Sequence, residues 1–547
     1  MTQFTALTSA LSALRASQTG MDVTSHNIAN ANTAGYTRQR VNITTSTPYY
    51  TSVGAIGTGV KITDIERIRD TFLDMRLHAS NSNLGSLEVK ADLLGRTEQV
   101  MGEPDFGVTK ELNELWAAFD ELSLRPDDNS VRLSAITALG TLASRIRTVS
   151  DGLTALGEDA QLQLENGLEK VNDQIQQLAD VNDEIASISA TGAGVPNDLL
   201  DRRDILVDEL SRGIGATATY ADSGMARLSL NGFDLVSETR ANALVLQGDN
   251  TLLHPSGGVV NAGGRIRGFQ EFLDTDPDTG VLAGVQQSLD DFATELLTQL
   301  NAQQAAGRDL DGDTGAATTT LLSMAGGASS LTVDVTRPED LAAADPAMGA
   351  LDGSNAASLA LLRSVPAPPR VTGDPYVAAA QTITITSGAL SSVVVTGAAD
   401  TLNDVITAIN AQLAVDGITT IVADDNGGAL RLRETRSGTG IEFTVSSTGD
   451  AFGTEGTHAS PVVDAVLRSV VTDLGAEVAS MRRQAGAEQG INNTAAAARR
   501  DHNAVSLDEE MVSLMTFQRT FEAAARVVTA VDEAMQTIVS RLGIVGR

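Results

Sequence analysis

Apolar residues return on alternating three- and four-residue steps at both extremities of the chain. At one extremity they are Phe4, Leu7, Leu11, Leu14, Met21 and Ile28; at the other they are Leu507, Met511, Leu514, Phe521, Ala525, Val528, Met535, Val539 and Leu542. A step of about 3.5 residues is the period of a helix whose apolar seam lies along another helix. The pattern predicts paired N- and C-terminal helices forming a coiled-coil-like base, with everything between them inserted.

The segment 1–30 reads as one helix. It ends in Asn27-Ile28-Ala29-Asn30-Ala31-Asn32-Thr33-Ala34-Gly35-Tyr36, whose Asn and Gly tolerate left-handed backbone and mark a loop. From Arg38 to Ile65 alternation turns strand-like around Gly54, Gly57 and Gly59, which predicts a β-hairpin. From Arg67 to Ser189 the period is helical, with a seam through Leu164, Leu168, Val171, Ile175, Leu178 and Ile185 interrupted at Asn182. Breaks fall at Glu103-Pro104-Asp105 and Arg125-Pro126-Asp127-Asp128, a turn at Gly192 to Asn197, and a charged helix at Asp198 to Leu210.

Short alternating runs over 214–260 predict a small antiparallel β domain, and helix returns from Gly268 to Ala306. Pro366-Ala367-Pro368-Pro369 reads as a stiff joint before a ββαββ module. From Val462 onward the chain reads as helix with a break near Gly490. The expectation is an α+β multidomain fold: a terminal helical domain (1–36 plus 507–547), a helix-rich rod domain with the hairpin (37–213, 264–310 and 458–506), a small β-rich domain (214–263 plus 311–365), and the outer module (366–457).

Composition narrows the function classes. At 547 residues the chain exceeds one core. A net charge of −32 argues against binding nucleic acid through its phosphates. No run approaches the ~18 consecutive apolar residues of a membrane span, so no membrane insertion is expected, and the polar-interleaved start has no secretory-signal pattern. Without cysteine, disulfides, thiolate metal sites and cysteine nucleophiles are excluded.

Candidate chemistry is sparse. Asp309-Leu310-Asp311-Gly312-Asp313 has the texture of a calcium loop, but its glycine is out of register and Thr320 stands where the closing acid belongs, so it reads as a turn. His26, His78, His254, His458 and His502 include no metal-spaced pair. Asp424-Asp425 and Glu509-Glu510 read as solvated charge or helix-start acids. No nucleophile and base are juxtaposed, so no enzymatic activity, cofactor or metal site is assigned.

The run Ser25-His26-Asn27-Ile28-Ala29-Asn30-Ala31-Asn32-Thr33-Ala34-Gly35-Tyr36-Thr37-Arg38 resembles the N-terminal signature of bacterial flagellar rod, hook and hook-associated proteins. Pro196 to Asp204, Gly263-Gly264-Arg265-Ile266-Arg267-Gly268, and Leu300 to Asp313 resemble segments of the first hook-associated type, and Val505 to Met511 with Phe517-Gln518-Arg519 is similar to the family C-terminus. The resemblance implies an axial structural protein at the hook–filament junction. It implies self-assembly in a ring or helix, contacts with hook protein and with the second junction protein (hook-associated protein type 3), and a cytoplasmic export chaperone on the C-terminal helix. It further implies type III export without a cleaved signal, to the extracellular flagellum. The signature loop residues are Asn27, Asn30, Asn32, Gly35 and Tyr36. Residues 366–455 carry no signature of this family.

The apolar stripes fit that expectation physically. Ordering about thirty residues of helix costs roughly 1–2 kcal/mol each, while each large buried apolar side chain returns about 1.5–3 kcal/mol. Six such positions do not balance that cost alone, so neighbours in a polymer are expected to complete the burial. The competing arrangement closes both stripes on each other within one chain. Competing functions are a surface adhesin or ligand-binding protein using the 366–457 module, and another axial protein such as a hook protein.

Overall fold

The computed structural model describes residues 2–542 except 52–53, 104–106, 192–195, 350, 365–369, 376–381, 388–389, 396–399, 417, 419–420, 427–428, 435–442, 448–455 and 458–462. The predicted joint at Pro366 to Pro369, most of the turn from Gly192, the break residues Pro104 and Asp105, and His458 lie outside the described residues. The helices are α1 (Thr2–Asn30), α2 (Thr71–Met101), α3 (Val108–Leu124), α4 (Asn129–Ala190), α5 (Asn197–Ile214), α6 (Gly264–Leu273), α7 (Val281–Ala306), α8 (Ser354–Leu361), α9 (Leu402–Val415), α10 (Val463–Asn503) and α11 (Leu507–Leu542). The strands before α6 are β1 (Gln39–Thr45), β2 (Tyr49–Thr51), β3 (Gly54–Ile56), β4 (Val60–Arg67), β5 (Thr217–Tyr220), β6 (Ala226–Leu230), β7 (Phe233–Ser237), β8 (Arg240–Ala241), β9 (Val245–Leu246), β10 (Leu252–Leu253) and β11 (Val259–Val260). After α7 come β12 (Leu322–Ser323), β13 (Thr332–Val333), β14 (Arg370–Pro375), β15 (Thr382–Ser387), β16 (Leu390–Val395), β17 (Ile421–Asn426), β18 (Ala429–Glu434), β19 (Phe443–Ser447) and β20 (Gly456–Thr457).

The chain forms two compact units, each assembled from separated stretches. One contains Met1–Leu93, Ala160–Leu273 and Ser480–Arg547; the other contains Leu94–Asp159 and Asp274–Ala479. In the first, α1 packs against α11 and against the β1–β4 ribbon. The hairpin is there as expected: β1 and β4 pair antiparallel from Gln39↔Arg67 to Thr45↔Val60, with a bulge between Asn42 and Ile43. The 214–260 stretch yields two antiparallel sheets, β5-β6-β7-β8 and β11-β10-β9.

Asn182 does not weaken the α4 seam. It is fully buried, donates to the carbonyls of Ala226 (2.8 Å) and Glu238 (2.6 Å), and accepts from the Ala226 amide (2.9 Å), so it fastens a sheet to the helix. The expected break at Gly490 is absent, and α10 runs unbroken to Asn503. A helical glycine costs only about 1 kcal/mol relative to alanine. Packing on both sides overrides it: Ser80 donates to Glu488 at 2.8 Å and Asn492 to Asn81 at 2.7 Å. The break falls at 504–506 instead, where Glu509, in the acidic first turn of α11, donates its amide to the Ser506 hydroxyl at 3.5 Å.

In the second unit, the expected strands and helix of the outer module are β15, β16, α9, β17 and β18. Three more strands join them, giving sheets β14-β18-β17 and β16-β15-β19-β20. The core is Ile383, Ile385 and Val394 against Val405, Ile409 and Leu413 of α9, closed by Ile421, Leu430 and Leu432. A capping box starts α9, with Thr401 and Asp404 bonded to each other's amides. The Asp309 loop is a turn held by the Asp313 amide on Asp309 (2.8 Å), and Arg337 pairs with Asp311 at 2.6 Å.

Candidate assembly interface

α11 lies antiparallel along α1, and two contacts fix the register. A Cβ on Gly20 would stand 2.6 Å from the ring of Phe517, so the missing side chain is the seat for that ring. One heptad further along α1, Asn27 donates to Glu510, one heptad before Phe517, at 3.0 Å. Because seven residues forward on one helix match seven backward on the other, Ala13 and Ala6 fall opposite Ala524 and Val531. The seam side of α1 is built of small residues: Ala10, Ala16, Ser17, Val23 and Thr24 are buried. Small side chains at a helix contact permit close approach of the axes. The ribbon takes another side of α1, where Val60 donates its amide to Ser12 Oγ at 3.1 Å. Gly59 (φ +104°) lies so near that a Cβ would collide with Ser12 and Ser9.

Asn27 is the hub where helix, loop and ribbon meet. Its Nδ2 donates to the Gln39 carbonyl (2.9 Å) and to Glu510; its Oδ1 accepts from the Tyr36 hydroxyl (2.7 Å) and the Gln39 amide (3.0 Å). An amide side chain has two donors and two acceptor sites, and all four are used. Arg38 donates to Glu510 and Glu509, both at 2.7 Å, and its amide bonds the Asn503 carbonyl at 3.0 Å. Thus the signature loop grips the start of α11 and the end of α10 together.

Behind the loop lies a buried ionic network. Arg67 bridges Asp201 (2.6 Å) and Asp204 (2.7 Å); Arg69 pairs with Asp74 (2.7 Å) and Asp204. Arg203 pairs with Asp204 (2.6 Å) and stacks over the Tyr220 ring at 4.3 Å. Asp208 accepts from His78 (2.9 Å) and from both Arg499 nitrogens (2.8 and 2.6 Å). Burial raises the Asp208 carboxyl, but the His78 and Arg499 hydrogen bonds outweigh it and hold the group below its ordinary value. The Tyr36 phenol is pushed far above its ordinary value by burial, and by the carboxylates of Asp201, Asp198 and Glu510. Burial also pushes the Arg203 guanidinium down to about 9, which leaves it charged at neutral pH.

The residues expected at the assembly surface separate into two groups. Leu7, Leu14, Met21 and Ile28 on α1, and Leu514, Phe521, Ala525, Val528 and Met535 on α11, are half-buried. Leu11, Leu507 and Met511 are exposed. The side chains of Phe4, Val539 and Leu542 lie outside the described residues. In the signature loop Asn27 is buried, Asn30 and Tyr36 are half-buried, and Asn32 and Gly35 are exposed, with Gly35 at φ +79°. The apolar period did not point to Gly20, Phe517, Glu510 or the arginine–aspartate network. The heptad spacing of Ala6, Ala13 and Gly20 was the available signal for the first.

Residues 7–37 match the family model described as flagella basal body rod protein, and residues 503–542 match the model for the C-terminal part of flagellar basal body rod FlgEFG protein. These two matches cover the two sides of the seam. Residues 94–318 match the helical domain of flagellar hook-associated protein FlgK. Flagellar hook-associated protein 1 of Bacillus subtilis is 28% identical over 100% of this chain and 99% of its own length. The proteins of the same name from Salmonella typhimurium and Escherichia coli are 27% and 26% identical over 56% of this chain, spanning 57% and 58% of their own lengths. The solved structure of the flagellar hook junction protein FlgK from Burkholderia pseudomallei aligns with a TM-score of 0.46 and 16% identity, covering 79% of this chain and 100% of that one. The chain is thus similar along its whole length to a flagellar hook-associated protein 1, and three separate stretches match flagellar family models.

Proposed function

We propose that this chain is the structural subunit that joins the flagellar hook to the filament, and that it does so by adding its α1–α11 pair to a tube of similar pairs. The observation that carries the reading is the second face of α11. One face is occupied by α1, yet Leu507, Met511, Val512 and Met515 in the first turns of α11 remain between 47% and 58% exposed. Large side chains left along one helix face mark an interaction surface. Internal closure therefore uses part of each stripe, and neighbouring subunits complete the rest. Assembly then completes the ordering of the terminal helices as it buries that face.

The partners in this reading are further copies of the chain, hook protein on one side and hook-associated protein type 3 on the other. Before export, a chaperone covers the α11 face, and the assembled protein is extracellular. Its role is mechanical, with no reaction assigned to it. The test is electron microscopy of cells lacking the chain. Hooks without filaments are expected; filaments still attached overturn the reading. Met511→Asp with Val512→Asp should fail to restore filaments while the purified monomer keeps its melting temperature, since both side chains face outward.

A further inference from the structure

The Gly263–Gly268 motif takes no part in the α1–α11 seam, yet its surroundings are closely built. A Cβ on Gly85 would stand 2.4 Å from the Arg212 carbonyl and 3.1 Å from the Arg265 amide, and one on Gly264 (φ +57°) would fall against Arg212 and Gly213. Glycines at this crossing bring the end of α5 against the start of α6, which sets Arg212 beside Arg265. Both line a cavity of about 540 Å³ that Lys170 of α4 also lines. Ile266 and Phe269, nearly fully buried, supply its apolar base.

The charge of this groove runs against that of the molecule. Its one carboxylate, Glu209, accepts a hydrogen bond from Gln174. Arg212 is held by both oxygens of Glu88, at 2.7 and 2.6 Å. Lys170 and Arg265 have no acidic partner within ion-pair distance among the described residues. A cationic concavity thus stands on a chain of net charge −32.

We infer that the groove receives carboxylates from an acidic surface of a second copy of this chain. Copies carrying a net charge of −32 repel one another. Subunits that sit side by side need local complementarity to offset that repulsion and to set their alignment. The groove supplies the positive half, and the acidic excess of the next copy supplies the other. This inference rests on the assembly reading above.

The test places a photo-crosslinking side chain at Asn166, which lines the groove, in flagella of producing cells. Crosslinks to a second copy, at a peptide carrying aspartate or glutamate, are expected. Crosslinks only to hook protein or to another flagellar protein, or none, overturn the inference. A second arm combines Lys170→Glu with Arg265→Glu; filament number should fall about tenfold, and Lys170→Arg with Arg265→Lys should restore it. Filaments at the normal level in the charge-reversed strain overturn the groove alone. Filaments in cells lacking the whole chain would overturn the junction reading first.

Discussion

Buried and half-buried side-chain amides fasten this molecule at several points, and each has the same logic. Asn27, Asn172, Asn182, Asn301 and Asn410 all project from helices, and each offers a carbonyl and an NH₂ to the backbone of a neighbouring segment. A helix cannot join a β ladder, but one amide side chain can imitate a strand residue. Asn27→Ala would leave the Gln39 amide and carbonyl, the Tyr36 hydroxyl and one Glu510 oxygen short of partners. Each buried group left unsatisfied costs about 1–3 kcal/mol. A combined loss of about 3 kcal/mol is expected, seen as roughly hundredfold faster hydrogen exchange in α1 and α11. The sequence marks such positions only as polar gaps in an apolar period, so Asn182 read as an interruption.

The ionisable groups of the same region set a pH profile. The folded Asp208 carboxyl lies below its ordinary 3.8. A depressed folded value contributes stability above the unfolded value that is lost as pH falls through the folded one. Asp208→Asn should therefore lower stability at neutral pH and flatten its decline below pH about 4. The Tyr36 phenol is displaced upward from 10.0. Its contribution is present in full below that value and is lost as pH rises toward the displaced one. Tyr36→Phe should remove that alkaline decline, read by chemical denaturation between pH about 9 and 11 (about one unit either side of the ordinary value).

Among the elements, the pairing of α1 with α11 depends on one absent side chain. Gly20→Ala gains about 1 kcal/mol of helix propensity, but its methyl would enter the Phe517 ring, and overpacking of this kind costs about 1–3 kcal/mol. A net loss in thermal stability is expected from Gly20→Ala alone. Combining it with Phe517→Leu should reverse the sign of that change relative to Phe517→Leu by itself, which a double-mutant cycle measures. The terminal helices, the hairpin and the central module were legible because long periodic stretches announce their own type. The extra module strands were not: β14 contains Gly373 and Pro375 and pairs as an edge with irregular register, while β20 has only two residues. Gly490 misled for the opposite reason, since tertiary contacts outweighed a local weakness.

At the scale of the whole molecule, the terminal stripes were visible in the sequence but their division was not. Periodicity identifies which residues share a helix face; it does not say which partner covers it. Phe521 and Val528 lie half-buried on α11, whereas Met511 and Val512 face outward from the same helix. A prediction belongs to that division. Val527→Asp should leave the monomer's hydrogen-exchange protection unchanged, because its side chain is 46% exposed, and yet reduce filament attachment.

The hub bond joins residues 483 positions apart in the chain. Until Glu510 and Phe517 have been made, α1 has only the ribbon to pack on, and a chain interrupted anywhere upstream is left without the helix that pairs with its first one. Such a remnant has nothing with which to form the adhering unit. The distance between the two halves of the seam thereby makes it a check on completeness: a polypeptide that stops short of Glu510 lacks the helix that pairs with its first one.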